Sequence, residues 1–145
     1  MMDIGDILVP TDFSECSLRA LDFALSLVSE DGEVYLLHVI DSKFLDRLVE
    51  HQMAGREEAT ERLRREAEAR MDSIITERES ARGKVNKMIV IGIPFVEILR
   101  IAKDLDFSLI AMGIRGGAGP LEEILFGGNA DKVLRGTRIP VVCVP

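Results

Sequence analysis

Five short apolar runs constrain this chain most: Ile7-Leu8-Val9, Val34 to Val39, Met88 to Ile91, Leu109 to Met112 and Val141 to Val144. None alternates apolar with polar residues, so each reads as a strand buried on both faces. Segments with helical periodicity lie between them. The order β-α-β-α-β-α-β-α-β predicts an α/β fold: a single doubly wound domain over residues 1–145, with a five-stranded parallel sheet and helices on both faces. A chain of 145 residues has the size of one ordinary domain and can bury a core without disulfides or metal.

The helical segments carry their own signals. Ser14 suits the N-cap of a first helix whose apolar positions are Leu18, Leu21, Leu25 and Val28. Asp31-Gly32 makes a turn. From Ser42 to Ser80 the pattern is helical but long. Ala59, Leu63, Ala67, Met71 and Ile74 form one stripe, and Gly55 breaks or hinges the region. Pro94 suits the first turn of a helix that points Phe95, Ile98, Leu99, Ala102 and Leu105 inward. A short helix is expected from Pro120 to Phe126, and another from Asn129 to Arg135, stopped by Gly136.

Several function classes are excluded at this level. The formal net charge of −7 argues against nucleic acid, and no Lys/Arg cluster overrides it. The charged stretch from Arg56 to Arg82 is balanced in sign and reads as a solvated helix face. Cys16 and Cys143 are far apart and form no C-x-x-C, which fits a cytoplasmic protein. The residues before Ile7 are too polar for a signal peptide, and the apolar runs are too short to span a membrane. With only His38 and His51, a histidine metal triad is excluded, and no metal ligands are assigned.

The candidate site comes from the segment Met112-Gly113-Ile114-Arg115-Gly116-Gly117-Ala118-Gly119, followed by Phe126-Gly127-Gly128-Asn129. Glycines this dense after a buried strand let backbone N–H groups approach a ligand, and the helix resuming at Asn129 aims its positive end at the same place. That combination suits phosphate. With strand order 3-2-1-4-5, the reversal falls between strands 1 and 4, so Pro10-Thr11-Asp12 and the glycine loop would meet at one crevice. Asp12 is read as a ligand for ribose hydroxyls or for a phosphate-bound metal. Thr11 bonds either a phosphate or its own turn, and Arg115 is a planar donor to phosphate or an exposed loop residue. His38 reads as a satisfied core histidine and Cys143 as core or interface packing. Cys16, in the first turn of a helix, reads mainly as structural, with redox sensing as the minor alternative.

Further motifs in combination resemble the universal stress protein family: Val9-Pro10-Thr11-Asp12-Phe13-Ser14, Leu37-His38-Val39-Ile40, Gly92-Ile93-Pro94, Lys132-Val133-Leu134-Arg135 and Ile139-Pro140-Val141-Val142. The resemblance spans essentially the whole chain. It implies the 3-2-1-4-5 sheet and a homodimer, here through the apolar C-terminal strand. It also implies ATP binding through a Gly-x2-Gly-x9-Gly-Ser/Thr motif, onto which Gly113, Gly116 and Gly127 fall. Asp12 matches an acid near the ribose and adenine, and Val39 a position whose backbone meets adenine. Two departures stand out. Ten residues separate Gly116 from Gly127, although Gly117 can serve instead of Gly116. Gly128 also replaces the Ser/Thr hydroxyl, leaving Asn129 or bare N–H groups to act.

The expectation is a regulatory protein that binds an adenine nucleotide, ATP or AMP/ADP, with any Mg held through the phosphates. Its site would comprise Pro10, Thr11, Asp12, Val39, Met112, Gly113, Arg115, Gly116, Gly117, Gly127, Gly128 and Asn129. No catalytic residue is assigned. Without a Gly-x4-Gly-Lys-Ser/Thr loop or a general base beyond Asp12, any ATPase activity would be slow. A nucleotide-free dimeric interaction protein is the other alternative.

Overall fold

Ile7, Leu8 and Val9 are fully buried in the computed structural model, which describes residues 4–52, 55–114 and 128–145. They form the middle strand, β1 (Ile7–Pro10). The others are β2 (Val34–Asp41), β3 (Val85–Gly92), β4 (Leu109–Gly113) and β5 (Val141–Val144). All neighbours pair in parallel, in the order β3-β2-β1-β4-β5. The helices are α1 (Glu15–Leu27), α2 (Ser42–Gln52), α3 (Arg56–Thr76), α4 (Pro94–Asp104) and α5 (Gly128–Gly136).

The two-residue period of the strands divides the core in two. Ile7, Val9, Leu36, Leu109 and Ala111 pack under α1 and α3. Leu8, Leu37, Ile110 and Met112 face the other way, under α4 and α5. Full burial of each Leu or Ile contributes about 1.5–3 kcal/mol, so these central strands anchor whatever their carboxyl ends carry.

Local details depart from the periodicity. In α1 the fully buried ridge is Ala20, Leu21 and Ala24, while Leu18 and Leu25 are half-buried and Val28 is the C-cap. Small alanines let the helix sit close to the sheet, and the larger leucines flank that contact. Gly55 does break the long helical stretch, as expected: it is the N-cap of α3 and follows the separate helix α2. Leu105, expected inward, is 53% exposed at the C-cap of α4; Phe107 takes the buried place instead. Gly136 is the last residue of α5, and a Cβ there would lie 2.7 Å from Leu99 Cδ1. Its smallness lets α5 pack on α4. The expected helix from Pro120 to Phe126 lies outside the described residues. Among the described residues no helix is long and apolar enough to cross a membrane.

Candidate functional site

The strand order reverses between β1 and β4, the place where a doubly wound sheet opens a crevice beyond its carboxyl ends. A cavity of about 370 Å³ lies there. Pro10, Thr11, Asp12 and Val39 line one side, and Met112, Gly113, Gly128 and Asn129 the other. Residues from all over the sequence are thus brought together as the motifs required. Arg115, Gly116, Gly117 and Gly127 lie outside the described residues.

The β1 side is a hydrogen-bonded turn. Thr11 N–H donates to Leu37 O at 2.8 Å, continuing the β1–β2 ladder past Pro10. Phe13 N–H donates to Thr11 Oγ1 at 3.0 Å, Thr11 Oγ1 lies 2.8 Å from Ser17 Oγ, and the Ser17 hydroxyl donates to Ser14 O at 2.8 Å. A hydroxyl has one proton, so the Thr11 proton goes to Ser17 Oγ and is engaged within the turn. Ser14 caps α1 by accepting from Ser17 N–H at 3.3 Å. Asp12 Oδ1 accepts from Ser14 N–H at 3.0 Å, and the side chain stays exposed at the cavity.

Phe13, the next residue, has φ +69°, a left-handed conformation that costs a non-glycine residue about 1–2 kcal/mol. Its ring has two close neighbours. The His38 ring lies 4.6 Å from its centroid and the Arg70 guanidinium of α3 lies 4.2 Å from it. His38 Nδ1 is 2.9 Å from Thr11 O. A carbonyl only accepts, so Nδ1 carries the proton and Nε2 is left as an acceptor. Burial pushes the His38 pKa below its ordinary value and Arg70 adds to that; the Thr11 bond and the Asp12 charge oppose it. The histidine is satisfied, as its sequence context implied, but half-buried at the cavity rather than in the core.

The β4 side is built differently. A Cβ on Gly113 would lie 2.7 Å from Cys16 Sγ, 2.8 Å from Cys16 C and 2.9 Å from Ser17 N. Gly113 is therefore demanded by the packing of β4 on α1, quite apart from any ligand. The buried Cys16 thiol donates to Val144 O at 2.9 Å, and Ile114 N–H donates to the same carbonyl at 3.0 Å. Gly128 and Asn129 are exposed and begin α5, so their N–H groups have no acceptor within the helix. Among the described residues, a Cβ on Gly128 would meet nothing within 4 Å.

Some lining residues escaped the sequence reading. Pro94 and Ile98, one turn apart on α4, close the apolar side together with Leu37. Lys132, one turn beyond Gly128 on α5, adds a cation. The four-residue spacing in each helix is the signal that could have found them. Apolar walls with a few convergent polar groups are the usual make-up of a small-molecule site. Among the described residues no group of three or more His, Cys, Asp or Glu side chains could hold a metal ion.

Comparison with known proteins agrees with this fold. Residues 4–145 match the family described as "Universal stress protein family". Universal stress protein MJ0577 of Methanocaldococcus jannaschii is 35% identical, with 95% of this chain and 93% of that protein covered. Universal stress protein MJ0531 of the same organism is 33% identical over 95% of this chain and 80% of its own length. The solved structure of MJ0577 superposes with a TM-score of 0.82 at 36% identity, covering 99% of this chain and 96% of that one. A universal stress protein solved in complex with cAMP shares the fold, with a TM-score of 0.65 at 17% identity over 99% of this chain and 98% of its own.

Proposed function

This chain belongs to the universal stress protein family, and from that premise we propose that it binds an adenine nucleotide in the crevice between β1 and β4. One observation carries the reading: residues distant in sequence, Pro10 to Asp12, Gly113 and Gly128-Asn129, line a single cavity that also has apolar lining and the first residues of a helix. The base lies against Val39, Pro94 and Ile98. Asp12, the one carboxylate among the described lining residues, accepts from the ribose hydroxyls. The phosphates lie toward Gly113 and the N–H groups of Gly128 and Asn129, and the sequence motif adds Arg115, Gly116, Gly117 and Gly127. ATP, ADP and AMP all fit this chemistry, with Mg bound through the phosphates. The function is regulatory rather than catalytic: ligand occupancy changes the surface around the crevice.

The test is mass spectrometry of small molecules released from the denatured protein, followed by calorimetric titration with AMP, ADP and ATP. Binding that weakens about tenfold in Asp12→Ala, the loss expected for a hydrogen bond to a charged group, supports the assignment. No released nucleotide and no heat at millimolar ligand would sink it. We further propose a homodimer through β5, whose four apolar residues stand half-buried at the sheet edge. Sedimentation equilibrium giving a monomer mass at high micromolar concentration would refute the dimer.

A further inference from the structure

We infer that Lys132 reads the number of phosphates on the ligand, neutralising the terminal phosphate in place of the hydroxyl that Gly128 lacks. The inference rests on the nucleotide reading above and names the residue that sets its specificity.

Four observations converge on it. First, Lys132 is the one cation among the described residues that line the cavity. Second, its neighbours are engaged elsewhere. Arg135 pairs with Asp131 at 3.1 Å, and Arg100 holds Glu97 and Asp104. The Lys132 ammonium instead lies 4.8 Å from the centre of the Phe95 ring, with no carboxylate partner among the described residues. The aromatic face supports it without neutralising its charge. Third, helical side chains lean toward the helix N-terminus, and Lys132 sits one turn after Gly128. Its ammonium therefore falls toward the end where the N–H groups of Gly128 and Asn129 have no helical acceptor. Fourth, among the described residues a Cβ on Gly128 would meet nothing within 4 Å, which leaves room for a ligand atom beside that helix end.

Charge explains why such a group matters here. The chain carries a net −7, and Asp12 faces the same cavity. A polyphosphate entering it is repelled unless positive charge is supplied locally. An ammonium is a compact charge with three donors, and its attraction grows with each added phosphate. Helix N–H groups do not distinguish one phosphate from three so strongly.

The experiment is calorimetric titration of wild type, Lys132→Gln, Lys132→Met and Lys132→Arg with adenosine, AMP, ADP, ATP and inorganic tripolyphosphate. Lys132→Met keeps an apolar stem against Phe95 should Lys132→Gln lose it, and circular dichroism verifies each fold. The expected result is at least a tenfold loss for ATP and tripolyphosphate in both uncharged variants, a smaller loss for ADP and less than twofold for adenosine and AMP. Lys132→Arg retains the preference. Equal losses across the series would mean a packing role and overturn the inference, as would no loss at all. If wild type binds tripolyphosphate through Lys132 but no adenosine or AMP, the adenine reading falls and this inference stands. If wild type binds nucleotide and the variants do not differ, the reverse holds. Binding of nothing by wild type overturns both.

Discussion

The two halves of the crevice do opposite things with their polar groups. On the β1 side almost every one is already used: Thr11, Ser14, Ser17 and His38 bond one another or the backbone, and Phe13, in a strained conformation, contacts both the His38 ring and the Arg70 guanidinium. On the β4 side the groups are bare. Among the described residues nothing comes within 4 Å of where a Gly128 side chain would begin, the first N–H groups of α5 have no acceptor within the helix, and Lys132 rests on an aromatic face. A saturated, rigid half fixes the shape that an uncharged ring must match. A bare half is suited to a charged, variable tail. The difference teaches that the same cavity can be preorganised at one end and unsatisfied at the other without loss of fold, because the unsatisfied groups are exposed to water.

Two glycines on the β4 side test how far that contrast goes. Gly113 is tight against backbone atoms of α1 that cannot move aside, so Gly113→Val should destabilise the fold by about 3 kcal/mol, the upper part of the range for overpacking. In a domain of this size that lowers Tm by roughly 6–12 °C, readable by calorimetry. An unchanged Tm would show that β4 and α1 are less closely packed than they stand here. Gly128→Ser is expected to do the reverse. It should leave Tm within about 2 °C and raise affinity for ATP at least tenfold, since a hydrogen bond to a charged group is worth about 1.5–3 kcal/mol. Equal gains for adenosine would place the new hydroxyl near the base and break the assignment of the two halves.

The sequence disclosed the fold well because its strands are continuous apolar runs, and a parallel sheet covered on both faces is the only economical burial for five of them. It disclosed the crevice because Thr11-Asp12 and Gly113, which line it, follow directly from or end the strands β1 and β4. What it concealed has a common physical cause. The inward faces of α1 and α4 were displaced by small or distant residues, with Ala20 and Ala24 outranking larger leucines and Phe107 replacing Leu105. Helical period locates an apolar stripe but not which member lies nearest the sheet. Lys132, Pro94 and Ile98 were missed for the same reason, since they reach the cavity only through the placement of α4 and α5. The reading of Gly113 as a phosphate contact was incomplete: its close approach to Cys16 and Ser17 is a tertiary fact that no local pattern contains.

The smallest expected effect separates the halves by titration. His38 belongs to the β1 side, while Gly113, Gly128 and Asn129 have no ionisable side chain. Burial lowers the His38 pKa in the folded protein below its ordinary 6.5, with Arg70 adding to that and the Thr11 bond and Asp12 opposing it. Between the folded and unfolded values the unfolded chain binds more protons, so stability rises with pH there. This contribution is fully present above about pH 6.5 and is lost as pH falls through the lowered folded value. Protonation also makes Nε2 a second donor and adds repulsion from Arg70, which contacts the same Phe13 ring. The loosening should therefore begin in the Thr11–Phe13 turn. Nuclear magnetic resonance of the imidazole carbons, assigned with His38→Gln, should give a midpoint below 6.5, and urea unfolding should show a stability slope over the same window that this variant lacks. A midpoint above 6.5 would mean that Asp12 outweighs burial, and the β1 half would then be held by an ion pair rather than by a neutral, fully bonded turn.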